Sequence, residues 1–97
     1  MRNNVVCIAS FKAKEGAEEN LKRALGMLVE PTRTEKGCVS YELLYGIEDA
    51  RLFTMIEMFE SREAFLLHGE QPYLLEFKEK LGDLVESVSV NLHKAVE

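Results

Sequence analysis

Glu57 and His68 are the two residues of this 97-residue chain best suited to handling a proton together. Imidazole is the side chain whose charge ordinarily changes near neutrality, so His68 is the candidate base. It follows Ala64 by four residues and Phe65 by three, a spacing that puts all of them on one helix face. Glu57 alternates with Phe53, Met55 and Phe59, and a carboxylate in that company is costly to bury unless hydrogen-bonded or neutral. It reads as a group that orients His68 or holds a substrate hydroxyl. The plainer readings are a helix-end histidine beside Gly69, and a glutamate that only partners Arg33, Tyr41 or a backbone N–H. Phe59, Phe65 and Tyr73 are expected to wall a cavity shared by the pair, with Tyr73 donating to a ligand oxygen and Phe59 stacking on a flat ring. Core packing is the alternative for these aromatics. Tyr41 and Arg33 complete the candidate ligand contacts, Arg33 being equally readable as half of an exposed ion pair.

The elements that must position these groups follow from periodicity. "NVVCIASFKAKEG" reads as a strand ending in a polar turn at Gly16. "AEENLKRALGMLVEPTRTEKG" switches to helical spacing: Leu21, Ala24, Leu25 and Leu28 share one face, acids open the helix and Pro31 is expected to close it. "CVSYELLYG" and "RLFTMIEMFE" form a hairpin around the acidic turn "IEDA". Ser61 is a candidate N-cap for "REAFLLHGE". Pro72 reopens a helix with Leu74, Phe77, Leu81 and Leu84 or Val85 inward, and "SVSVNLHKAV" alternates as a last strand, with Asn91 and His93 on its polar side. The order is β-α-β-β-α-β, a single α+β domain spanning residues 1–97 with both helical segments on one face of a four-stranded sheet: the ferredoxin-like arrangement.

Composition narrows the partners. A net charge of −5 without any basic cluster argues against nucleic acid and anionic membrane surfaces. Apolar runs such as Val5–Ala9 are too short to span a bilayer and no leader is evident, so a cytoplasmic protein acting on small molecules is expected. Cys7 and Cys38 lie in separate strands without a nearby histidine or CxxC, which fits reduced thiols and no metal site. Met27, Met55 and Met58 read as adaptable core.

A sheet covered on one side should alternate, yet Leu52, Phe53, Met55, Ile56, Met58 and Phe59 are apolar at both parities, as are Val5 to Ala9. A second copy laid sheet to sheet is the simplest cover, so a homodimer is expected.

"VEPTRTEKGCVSYELLYG" followed by "FTMIEMFESREAFLLHGEQPYLLEF" resembles the antibiotic biosynthesis monooxygenase family, which includes small quinol monooxygenases. The shared pattern is a P-T-R helix end, an E-x-G-C-x-x-Y-E strand, an E-x-[WF]-x-S-x-E-A helix start with a histidine four residues on, and an aromatic or His after a Pro. The resemblance runs from about Val5 to Ala95. It implies a dimeric α+β barrel and a pocket at Glu57, Phe59, His68 and Tyr73. Phe59 stands where Trp is commoner, and Tyr73 where a second His often occurs. Haem-degrading relatives use an Asn on the first strand and a Trp on the third; Ala9 or its neighbours and Phe59 replace them here, which disfavours haem.

The function expected is oxidation of a small aromatic quinol by O2 without metal, flavin or other cofactor, since an ionised hydroquinone can itself reduce oxygen once a base, orientation and a dry pocket are supplied. No Gly-rich phosphate loop appears, consistent with that chemistry. The alternatives are a non-catalytic dimeric ligand-binding module, or an isomerase or lyase of a small carbonyl compound.

Overall fold

The computed structural model describes residues 3–96. Along the chain run β1 (Val5–Ala13), α1 (Glu18–Gly26), α2 (Val29–Arg33), β2 (Cys38–Tyr45), β3 (Leu52–Phe59), α3 (Arg62–Gly69), α4 (Pro72–Leu84) and β4 (Val85–His93). The strands form one sheet in the order β2-β3-β1-β4, antiparallel throughout. This is the expected β-α-β-β-α-β ferredoxin-like fold, with each helical segment built from two pieces.

Alternation decides which side chains meet the helices. In β1, Val5, Cys7, Ala9, Phe11 and Ala13 are buried, and their register partners in β3 are buried with them: Phe59 opposite Val5, Glu57 opposite Cys7, Met55 opposite Ala9 and Phe53 opposite Phe11. Leu21 and Leu25 of α1, Leu28 and the α4 residues Leu74 and Phe77 pack against them. Phe11 and Phe77 meet edge to face at 6.0 Å. On the opposite face, Val6, Ile8 and Met58 are half-buried, while Ile56 and Leu44 are exposed.

Two boundaries differ from the sequence reading. The first helix does not run on to Pro31. It ends at Gly26, a weak helix former, and a turn leads into α2, where Pro31 lies in the first turn. A proline is tolerated there because its missing N–H would have no intrahelical acceptor. The break turns Leu28 into the core and leaves Met27 exposed rather than packed. The second difference is Val85, which opens β4 directly after α4 instead of joining the helix stripe. Gly16, at φ +86°, takes the left-handed turn between β1 and α1 that glycine adopts without steric cost.

β4 is the most exposed of the strands. Val88, Val90 and Leu92 pair with Phe11, Ala9 and Cys7 and so face the helix side, yet Val90 stays 55% exposed. Among the described residues, no helix is long and apolar enough to cross a membrane.

Candidate active site

His68 is placed by the start of α3. Ser61 is the N-cap, its Oγ accepting the Ala64 backbone N–H at 3.1 Å. The helix then turns Ala64, Phe65 and His68 inward while Leu66 and Leu67 stay in solvent. An imidazole thus occupies an inward position on a helix that leaves two leucines outside, the reverse of ordinary preference. His68 is only 4% exposed.

Beneath α3 the turn between α2 and β2 comes close. A Cβ on Gly37 would lie 2.4 Å from the Ala64 Cβ, so only glycine permits this approach. Two residues earlier, Glu35 reaches His68: Nδ1 lies 3.0 Å from Oε2 and 3.2 Å from Oε1. The Tyr73 hydroxyl, at the start of α4, donates a short hydrogen bond to the same Oε2 and also points at the Pro31 carbonyl at 3.3 Å.

On the other side of the ring, Nε2 faces Glu57 Oε1 at 3.7 Å, beyond hydrogen-bond reach. That oxygen is buried and has no hydrogen-bond partner among the described residues. Burial first, and the negative field of Glu35 second, push the Glu57 carboxyl up from 4.5 to about 8, so it is protonated at neutral pH. The imidazole lies between the rings of Phe59 and Tyr41, at 4.9 and 5.5 Å. Burial, with Glu57 next, also drives the Tyr41 hydroxyl well above its usual range and the Cys7 thiol up to about 12, so both stay neutral.

Glu57, His68, Tyr41 and Cys7 line a cavity of about 250 Å³ whose remaining walls are apolar side chains of β1, β3, α1, α3 and α4. Its outer wall is β4, through Val88 and Val90, and Lys78 and Gly69 also border it. The volume lies below the roughly 300 Å³ at which pockets for drug-sized ligands begin, which fits a small ligand. The polar side chains at its wall are an acid that can donate, an imidazole, a phenol, the Cys7 thiol and Lys78.

The structure brings Glu57, His68, Phe65 and Tyr41 together at one cavity, with the Phe59 ring tilted at 37° against the imidazole and 5.8 Å from Phe65. Three expected ligand contacts lie elsewhere: Phe59, fully buried, packs on the imidazole and Phe65 and is not among the cavity-lining residues, and the other two are Tyr73 and Arg33. Tyr73 is not among the cavity-lining residues: from the second position of α4 it reaches toward α2 and Glu35. Arg33 donates from Nε and Nη2 to the Tyr41 carbonyl at 3.0 and 2.8 Å and pairs with Glu42 at 3.3 Å, which ties α2 to β2. Glu35 escaped the sequence reading. It stands outside any periodic element, and its one signal was its place at the head of the E-x-G-C run. Among the described residues, no three His, Cys, Asp or Glu side chains are arranged to hold a metal ion.

A family model for antibiotic biosynthesis monooxygenases matches residues 4–80. Rv0793 of Mycobacterium tuberculosis, which carries a provisional monooxygenase name, is 33% identical over 85 residues, 88% of this chain and 83% of that protein. Its solved structure superposes with a TM-score of 0.92 over 97% of this chain and 96% of its own. The crystal structure of PA3566 from Pseudomonas aeruginosa superposes with a TM-score of 0.95 at 31% identity, covering 100% of this chain and 98% of that one. The Synechocystis protein sll1783 is 29% identical over 96% of this chain but is longer, this chain spanning 64% of it. The glutamate–histidine cavity described above is therefore carried by a member of the antibiotic biosynthesis monooxygenase family.

Proposed function

We propose that this protein is a cytoplasmic, homodimeric monooxygenase that oxidises a small aromatic quinol with O2, drawing on no metal or organic cofactor. The observation that carries the reading is a buried imidazole whose Nε2 lies 3.7 Å from a protonated carboxylic acid, both groups lining one small, mainly apolar cavity. His68 takes the hydroxyl proton at Nε2, and the ionised ring gains enough electron density to reduce O2. One oxygen atom bonds to a ring carbon. The other leaves as water, so one hydroquinone and one O2 become one hydroxyquinone and one water, with every electron that O2 accepts coming from the substrate. Glu57, protonated, donates a hydrogen bond to the substrate oxygen and then a proton to the departing oxygen. Phe65 and the apolar wall exclude water, which strengthens both interactions.

Oxygen uptake by metal-free protein with a panel of one- and two-ring hydroquinones tests this. Uptake well above autoxidation, lost in His68→Ala, is expected. Uptake no faster than autoxidation across the panel would overturn the reading and leave an isomerase, a lyase or a binding module on the same cavity.

A further inference from the structure

Glu35 and Tyr73 form a connected pair that the proposed reaction does not use. The Glu35 side chain is 14% exposed, sits in the turn between α2 and β2, and accepts from donors on two other elements, His68 on α3 and Tyr73 on α4. A carboxylate this enclosed is costly unless paired. A lysine or arginine would pair it as well. An imidazole differs in having a second nitrogen, and that nitrogen is turned toward Glu57, which lines the cavity together with His68. Tyr73 and Glu35 themselves face an outer groove bordered by Thr34, Lys36 and Gln71, on the far side of the ring from Glu57.

We propose that Glu35 and Tyr73 are positioning residues for the base: Glu35 holds the ring proton on Nδ1, leaving the Nε2 lone pair for the cavity, and the Tyr73 hydroxyl holds Glu35 in place. Neither touches the substrate. A ligand nitrogen's other N–H donated to a carboxylate fixes tautomer and orientation in the same way at metal sites, where losing the outer group costs ~10–100-fold. The inference rests on His68 being the base of the proposed reaction, but its structural half stands apart from turnover. It also reassigns Tyr73 from ligand contact to support.

Nitrogen-15 spectra of the His68 ring test that half without substrate. The wild-type ring is expected to carry its proton on Nδ1, and Glu35→Gln to shift the tautomer balance toward Nε2. A wild-type ring protonated on Nε2 alone, or a balance unmoved by Glu35→Gln, would overturn the proposal. If Glu35→Gln does not fold, Tyr73→Phe and Glu35→Asp decide it: each should move the ring signals, and unmoved signals in both overturn it. With turnover, Glu35→Gln should lower kcat by ~10–100-fold and Tyr73→Phe by less, both with KM nearly unchanged. A Tyr73→Phe variant with raised KM and intact kcat would restore tyrosine to the substrate and sink its positioning role. A wild-type protein inert toward every quinol, with the Nδ1 proton in place, would refute the proposed function and leave the pair standing.

Discussion

His68, Glu57 and Tyr41 take inward positions that apolar side chains would fill at lower cost. If His68 is the base, His68→Ala should lower turnover by ~10²–10⁴-fold with the fold intact by circular dichroism, and Glu57→Gln should cost less, since Gln keeps one donor. Glu57 also makes stability depend on pH. Its carboxyl titrates near 4.5 unfolded and about 8 folded. Below the first value both states are protonated and stability is full; as pH rises through this window only the unfolded chain ionises, so stability falls. Glu57→Gln removes that loss. Its melting temperature should match wild type near pH 4 and exceed it at pH 8 by on the order of 5 °C or more, and equal values at both would refute the raised carboxyl. His68 and Glu57 were legible beforehand because each sits in a periodic element, one at helical spacing and one in strand alternation. Glu35 was not, because a turn has no period, and Tyr73 was misdirected because sequence places a residue on an element without saying which way its long side chain reaches.

Two short elements do most of the aiming. Gly37 and Ala64 meet where the α2–β2 turn passes under α3, and this closeness brings Glu35 to the imidazole. Gly37→Ala should force the two apart, with about 1–3 kcal/mol lost to overpacking and a drop in kcat, checked by chemical denaturation alongside oxygen uptake. A variant as stable and active as wild type would mean that the turn yields freely. The four strands, their order and the Ser61 cap could be read from alternation and turn chemistry. The break after Gly26 could not, because Leu21, Leu25 and Leu28 satisfy one helical face whether or not the helix is continuous; burial of Leu28 through a turn is a tertiary decision.

For the whole molecule, the open face of the sheet is the main unanswered surface, with Val6, Ile8, Ile56 and Met58 at its centre. If a second copy covers it, light scattering should give twice the 11.1 kDa chain mass at micromolar concentration, and Ile56→Lys should shift the population to monomer. A monomeric wild type would remove the barrel. The sequence pointed to this face by its doubled apolar parity, although no single chain can display what covers it. The pairing of β1 with β4 has a different kind of consequence. Glu35, Tyr41, Glu57, His68 and Tyr73 all come from the middle of the chain, whereas β1 and β4, which wall the cavity beside them, come from its two ends, joined in a ladder that sets Val6 beside His93. Closing that ladder constrains nearly the whole polypeptide before any contact rewards it, which is the entropy that slows folds rich in distant pairings. The reactive groups are therefore local in sequence and the enclosure around them is not. Substitutions in β4 should fall on the kinetics of reaching the native state and on the shape offered to a ligand, and leave the proposed proton chemistry to the segment between.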